Sequence, residues 1–293
     1  MNQNSEQFKF IEQILKIHLS KNIDIQNIEF FYGGNFNTAS KVSANGSDYF
    51  VKWAPEEDVN TFEKEAKNLQ LIDSTNTLKV PKVYGNGNFE SKNYLIIQGI
   101  SSAEQNKNYW KDFGIGLANL HKTSSPNGFG LDYDNFIGTL PQINTWNKNW
   151  IDFFIENRLI PQLDLAEYNR KINSDLIEKF EALFKELNSI FPENSSSLIH
   201  GDLWDSNIMT DLDGNAIILD PTCYFGSREA EIAFTTMFGG FENEFYESYN
   251  EVLPIEKGFH ERLPFYNLYP LLVHVNLFGE GYLPTINKIL SKF

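Results

Sequence analysis

The sequence predicts an α+β protein of two lobes, a small β-rich N-terminal lobe and a larger, mostly helical C-terminal lobe. Three observations lead there. Short alternating runs bounded by turn dipeptides fill the first hundred residues. Apolar residues at helical spacing dominate the chain from Ala103 onward. One short β region, with Asp213-Gly214 as its turn, is embedded among those helices. Strands gathered in one part and helices in another mark the α+β class rather than alternating βαβ units. The boundary falls near Gly99–Ser102, so the lobes cover residues 1–99 and 100–293.

The elements follow in order. Phe8, Ile11, Ile14, Leu15 and Leu19 recur at helical spacing and predict a helix over about 6–20. Gly33-Gly34 and Asn45-Gly46 punctuate β-rich runs, and Asn-Gly is a strong hairpin signal. Tyr49 to Trp53 alternates as a strand. A helix is expected over about 60–73, then a strand from Val80 to Gly87 and a buried strand over Tyr94–Ile97. Helical patterns then cover roughly 107–122, 146–168 and 173–190. The embedded β region takes in Ser197–His200, the surroundings of Ile208, and Ala216–Leu219. Helices resume at about 227–237, 242–251, 259–278 and 283–292.

Composition removes whole classes. At 41% hydrophobic and 15% aromatic residues, the chain has material for a core and is not a disordered or collagenous sequence. A net charge of −15 repels a phosphate backbone and argues against nucleic acid as a partner. Such a protein can still bind ATP if Mg²⁺ and a few cations neutralise the phosphates locally. Cys223 is the single cysteine, so no intrachain disulfide forms, which fits a reducing compartment. The N-terminal decapeptide is polar, and no apolar run approaches the roughly 20 residues that span a bilayer. A cytoplasmic protein with no membrane partner is expected.

The chemistry concentrates in His200-Gly201-Asp202-Leu203-Trp204-Asp205-Ser206-Asn207, followed by Asp220-Pro221-Thr222. Asn207 lies five residues after Asp202, and Asp220 thirteen after Asn207. Protein kinases space a catalytic Asp, an Asn and a metal-binding Asp in this way. Asp202 would take or orient the proton of an attacking hydroxyl. Asn207 and Asp220 would offer hard oxygen ligands to Mg²⁺. Each residue alone could be an ordinary turn former; the spacing of all three behind the apolar Leu198-Ile199 argues for catalysis.

A kinase also needs a strand lysine paired with a helix glutamate. Lys52, in Phe50-Val51-Lys52-Trp53, fits the first part. Glu63 and Glu65 compete for the second. Glu65 shares the helix side of Phe62, Ala66, Leu69 and Ile72, whereas Glu63 sides with Lys67 and Gln70, so periodicity picks Glu65. Gly33 and Gly34 stand where a phosphate-covering loop would lie, although the segment is neither G-x-G-x-x-G nor a Walker A sequence. Gln98, just ahead of the lobe boundary, completes the expected nucleotide-binding set.

These residues resemble the fructosamine kinase, or ketosamine-3-kinase, family, of the protein-kinase-like and aminoglycoside-phosphotransferase-like fold. The resemblance extends over nearly the whole chain. It is carried by His200–Asn207 with Trp204, by the run from Asp220 to Glu229, by Phe238-Gly239-Gly240-Phe241 and by His274 to Gly279. Asp134 to Gly138, Pro141-Gln142, Arg158-Leu159 and Pro161-Gln162 add to it. Trp204 separates this pattern from the aminoglycoside phosphotransferases, which share His-Gly-Asp.

The resemblance implies transfer of the ATP γ-phosphate to the C3 hydroxyl of a ketosamine, followed by elimination that returns the free amine. That is deglycation, a protein-repair chemistry, acting on a small ketosamine or a glycated protein lysine. It implies Asp202 as base, Asn207 and Asp220 on Mg²⁺, Lys52 on the phosphates and Glu65 positioning Lys52. Asn135, Trp204, Arg228 and Glu229 become the expected substrate contacts, with Trp204 equally able to be core.

Three positions depart from the family pattern. Asp205-Ser206 stand where Ser-Gly is usual, Glu231 where Asp is usual, and the segment Asn35 to Asn37 has no cysteine. Asp205 could attract a substrate ammonium or cap a turn. Other readings are a kinase of an aminoglycoside-like or choline-like alcohol, or a kinase-like binding protein that has lost catalysis. The protein Ser/Thr kinases are disfavoured, because Asp-Phe-Gly and Ala-Pro-Glu are absent. His274 with Asn276 reads as a core network, and His121 as a favourable helix end. No residue argues for a particular oligomeric state.

Overall fold

A computed structural model of the chain describes residues 3–31, 38–56 and 61–293. The chain divides into two compact units. The first runs to Tyr109 and also takes in Ser206–Pro221; the second comprises Trp110–Asp205 and Thr222–Phe293.

The first unit is built on helix α1 (Gln3–His18) and strands β1 (Ile25–Phe31), β2 (Thr38–Ala44) and β3 (Ser47–Pro55). Helix α2 (Phe62–Asp73) and strands β4 (Val83–Phe89) and β5 (Lys92–Gln98) follow. The five strands form one antiparallel sheet in the order β1-β2-β3-β5-β4. Alternation sorts its faces. Tyr49, Val51 and Trp53 of β3 point to one side, where they cluster with Phe10, Ile11, Ile14 and Leu15 of α1. Those four α1 side chains are essentially inaccessible to water. Each such burial is worth roughly 1.5–3 kcal/mol, so α1 belongs to the fold of this unit. Lys52 lies on the other face, the one that carries α2.

Asn45-Gly46 makes the two-residue β2–β3 turn, with φ of 50° and 75°. This is the left-handed pair that Asn-Gly adopts readily. The β4–β5 turn has the same conformation but is made of Glu90 (φ 49°) and Ser91 (φ 55°), which nothing in the sequence announces. Side chains with a Cβ are disfavoured there. Replacing Glu90-Ser91 by Asn-Gly is expected to raise unfolding stability by about 1 kcal/mol, read from the denaturant midpoint at unchanged slope.

Strands β9 (Ile208–Thr210) and β10 (Ala216–Ile218) form the hairpin embedded in the sequence of the helical lobe. It packs instead as part of the first unit, whose leading segment runs on to Tyr109, past the boundary expected at Gly99–Ser102. The physical tie is backbone pairing. Ile218 N–H donates to Lys79 O at 3.0 Å, and Asn106 N–H to Gly214 O at 3.0 Å. Lys79 Nζ also meets the Asp211 carboxylate at 2.5 Å.

The second unit contains α3 (Tyr109–His121, entering from the first unit), the hairpin β6 (Asn135–Ile137) and β7 (Leu140–Gln142), α4 (Trp150–Phe154), α5 (Ile160–Tyr168) and α6 (Ser174–Ile190). Strand β8 (Ser197–Ile199) pairs with β11 (Tyr224–Gly226). Helices α7 (Arg228–Thr235), α8 (Asn243–Val252), α9 (Phe259–Tyr266), α10 (Leu268–Phe278) and α11 (Leu283–Ile289) complete it.

Two expected long helices are interrupted, and proline is the reason both times. The helix expected over 146–168 starts at Trp150, because Asn149 caps it by accepting from Ile151 N–H at 2.7 Å. It then widens to a π-helical turn over Ile155–Leu159. Pro161 has no N–H to offer the Asn157 carbonyl, which accepts from the Arg158 guanidinium at 2.9 Å instead. The helix expected over 259–278 breaks at Asn267, where Pro270 can give nothing to the carbonyl of Tyr266. The three-residue strands of β6, β7 and β11 are too short to leave a periodic signal. Among the described residues, no helix is long and apolar enough to cross a membrane.

Candidate active site

Two groups of side chains carry the expected chemistry, one in each unit. In the first unit, Lys52 Nζ donates to Glu65 Oε1 at 2.8 Å and to Asp220 Oδ1 at 2.5 Å. Strand β3 aims the lysine at α2, and the helix turns Glu65 back toward it, while Glu63 is exposed and pairs with Lys67. Lys52 and Glu65 are largely withdrawn from water, at 16% and 15% side-chain exposure, whereas Asp220 is half open at 51%. Burial alone would lower the pKa of Lys52; the Glu65 and Asp220 carboxylates overturn this and hold it above the ordinary lysine value. Burial lifts Glu65 to about 7; the Lys52 ammonium opposes that rise and the Asp220 charge adds to it.

Asp220 reaches this position through an unusual backbone. Its φ is 52°, a left-handed conformation found mainly in Gly, Asn and Asp. Asn68, buried on α2, donates to Pro221 O at 2.7 Å and ties the segment after Asp220 to the helix that carries Glu65. Leu219 N–H donates to Asn207 O at 2.9 Å, joining the two ends of the β9–β10 hairpin. Asn207 is buried at the end of a 3-10 turn.

Asp202, in the second unit, sits on the loop after β8. Glu231 of α7 holds that loop by its backbone. Its carboxylate accepts from Gly201 N–H at 2.7 Å and from His200 N–H at 3.0 Å. His121 Nε2 donates to the same carboxylate at 2.8 Å, and His121 Nδ1 accepts from Tyr249 Oη at 2.8 Å. Burial would raise the pKa of Glu231; His121, His200 and the Gly201 N–H outweigh it and keep the carboxyl below its ordinary value. Gly201 has φ 87°, and a Cβ there would stand 2.5 Å from Thr222 O, so only glycine fits.

Asp202 opens onto a cavity of about 430 Å³ whose wall includes Trp204, Phe234, Phe238, Tyr269 and His274. Trp204 is half-buried, its ring 5.3 Å from that of Phe238. It is therefore both packed and exposed to whatever enters. His274 is a cavity-wall residue as well; its Nδ1–H donates to Pro270 O at 2.7 Å.

A model of the fructosamine kinase family matches residues 7–293. The chain belongs to the fructosamine kinase family. A probable ketoamine kinase of Vibrio cholerae is 36% identical over 286 residues, covering 96% of this chain and 97% of that one. The chloroplastic protein-ribulosamine 3-kinase of Oryza sativa subsp. indica is 36% identical over 272 residues, 92% of this chain and 79% of its own. A Haemophilus somnus crystal structure assigned to fructosamine-3-kinase superposes with a TM-score of 0.87 at 31% identity, covering 97% of each chain. Aminoglycoside phosphotransferase APH(4)-Ia, at 16% identity and TM-score 0.62, shares the fold. This fructosamine kinase family member thus has the protein-kinase-like α+β fold and is a phosphotransferase with a hydroxyl group as acceptor.

Not every residue expected at the site of this family member is brought to it. Gly33 and Gly34 lie outside the described residues. Gln98 pairs with Tyr49 and so points its side chain to the sheet face opposite Lys52. Asn135 is buried away from the cavity wall. Its Nδ2 donates to Cys223 O at 2.8 Å, and its Oδ1 accepts from Gln142 at 2.7 Å and Asn144 at 2.9 Å. Glu229 is 2% exposed and bound by Arg262 at 2.7 and 3.0 Å and by Tyr266 Oη at 3.1 Å. Arg228 donates to Leu253 O at 3.1 Å and Pro254 O at 2.6 Å. These three tie elements of the second unit together. Asp205 is exposed and is not part of the cavity wall.

Glu231, His121, Asn68 and Arg158 are the residues that sequence reasoning passed over as functional. Glu231 was visible only as a departure from the family's Asp, and His121 only as a helix end. Arg158 is fully buried, its guanidinium 3.9 Å from the centroid of Tyr224, donating to Asn144 Oδ1 at 2.7 Å.

Proposed function

We propose that the chain is an ATP-dependent kinase that phosphorylates the C3 hydroxyl of ketosamines, adducts of the ribulosamine and fructosamine type, and so initiates deglycation. The observation that carries this reading is Asp202 on the wall of an aromatic cavity, at the end of a loop pinned by Glu231. The rice relative is a protein-ribulosamine 3-kinase, which supports the acceptor class.

In this reading Asp202 accepts the C3 hydroxyl proton as the new O–P bond forms, while the bond from the γ-phosphorus to ADP breaks. Lys52 holds the α- and β-phosphates, and Glu65 keeps Lys52 pointed at them. The donor set of Asn207 and Asp220 fits Mg²⁺: two hard oxygen donors, one an amide and one a carboxylate, in the same unit as the phosphate-binding lysine. Mg²⁺ held there would neutralise charge on the phosphates. Trp204 offers an aromatic face to the C–H groups of the ketose. The resulting 3-phosphate eliminates inorganic phosphate, and hydrolysis by water then releases the amine from a deoxydicarbonyl. One cysteine and a strongly acidic surface suit this work in the cytoplasm.

The test is ADP release with Mg·ATP, offering ribuloselysine, fructoselysine and an aminoglycoside in parallel. Turnover of a ketosamine is expected. Turnover of the aminoglycoside alone would transfer the reading to the other branch of the fold. Substituting Glu65→Gln removes the charge that positions Lys52 and keeps the side chain's size. The KM for ATP is expected to rise roughly tenfold, with the ketosamine KM unchanged, measured in the same assay.

A further inference from the structure

The second unit holds a groove distinct from the cavity beside Asp202. It encloses about 680 Å³ among α9, α10 and α11. Leu263, Pro264 and Phe265 of α9, Leu271 of α10 and Ile289 of α11 give it an apolar floor. Such a volume, lined mainly by hydrophobic side chains with a few polar groups, suits a small molecule. Phe238 and Tyr282 belong to both walls, so the groove backs onto the Asp202 cavity.

Its charge sets it apart. The charged residues that line it are Lys288, Lys292 and Glu261. Lys16, Lys41, Lys52, Lys67 and Lys79 each meet a carboxylate. Lys288 and Lys292 are in no ion pair among the described residues, and Glu261 pairs with neither. The ammonium of Lys292 lies over the floor, 5.0 Å from the centroid of the Phe265 ring and 5.4 Å from that of Phe293. An aromatic face attracts a cation but does not neutralise it. A chain of net charge −15 thus keeps a locally positive, apolar groove.

We propose that this groove binds a small amphipathic carboxylate, an aryl or alkyl acid. Its apolar body lies on Leu263, Phe265 and Ile289, and its carboxylate accepts from the ammonium groups of Lys288 and Lys292. Hydrogen bonds between ionised partners are about twice as strong as neutral ones, and the apolar floor shields them from water on one side. A neutral molecule of the same shape forgoes that pairing. An ammonium of the same shape meets two like charges and one carboxylate.

The experiment titrates the full chain calorimetrically with 2-naphthoate and with two probes of similar shape, 2-naphthalenemethanol and protonated 2-naphthylmethylamine. Ionic strength is kept low, so that exposed charges are not screened. Naphthoate is expected to bind at least tenfold more tightly than either of the others. Lys288 and Lys292 are both exposed, so Lys288→Glu combined with Lys292→Glu leaves the core intact. That variant should weaken naphthoate at least tenfold and strengthen the amine. Thr285, exposed on the groove wall, offers a second variant: Thr285→Trp fills the groove and should abolish binding of all three. Equal affinities for the three probes, or no heat from naphthoate at millimolar concentration, would overturn the proposal. So would naphthoate binding that survives both variants unchanged. None of these outcomes touches the ketosamine-kinase reading, which rests on turnover.

Discussion

Asp202→Ala is expected to lower kcat by about a thousandfold while leaving the fold in place. General bases contribute typically 10²–10⁴-fold, and here no second carboxylate of the cavity can substitute. Glu231, the other acid on the wall, is committed to the backbone of His200 and Gly201 and to His121. The backbone bonds from Glu231 and the glycine at 201 hold the loop. ATP affinity and the thermal midpoint should therefore stay near the wild-type values. Coupled ADP release and thermal unfolding measure both sides. Near-normal turnover in this variant would remove Asp202 from the role of base. Asp202→Asn, which keeps the shape and deletes the basicity, should fall almost as far.

Glu231→Ala should be the most damaging substitution for stability in the second unit. It leaves two backbone N–H groups and the His121 Nε2–H without their buried acceptor. Removing one partner of such a buried charged network costs about 3–5 kcal/mol. In a chain of this size that is roughly 10 °C in the thermal midpoint. Activity should be lost with it, because the Asp202 loop is no longer held. Glu231→Asp keeps the charge and shortens the reach by one methylene. Since aspartate is what the family pattern leads one to expect here, this variant should recover most of the stability.

The same carboxylate predicts a pH dependence with a definite sign. Its pKa in the folded protein lies below the unfolded value of 4.5. The stability it contributes is therefore complete above about pH 4.5 and is lost as the pH falls through the folded value. Denaturant midpoints should drop on acidification below that point, and the drop should be shallower in Glu231→Ala. Equal acid sensitivity of the two proteins would show that another group governs the transition.

Much of the Lys52–Glu65–Asp220 group was legible because it is local. Strand alternation, helix periodicity and the spacing of Asp202, Asn207 and Asp220 are short-range patterns, and each constrains where a side chain points. The cavity was legible in part. Trp204 is next to Asp202 in the chain and faces the cavity. Asn135, Arg228 and Glu229 belong to equally distinctive sequence segments, yet their side chains point into structural networks. A motif records that a residue is constrained; it does not say whether a ligand or the fold imposes the constraint.

Local patterns suffice for the α+β class, the order of most elements and the choice of Glu65 over Glu63. All three follow from periodicity over a dozen residues or fewer. That the β9–β10 hairpin packs with the first unit emerges only in the folded chain, since backbone pairing to Lys79 and Asn106 joins positions more than a hundred residues apart. The same holds for Glu231 and His121, which hold the Asp202 loop, and for the rings that wall the cavity beside Asp202. Those rings come from helices far apart in the chain, and no linear pattern shows which distant side chains will enclose one volume.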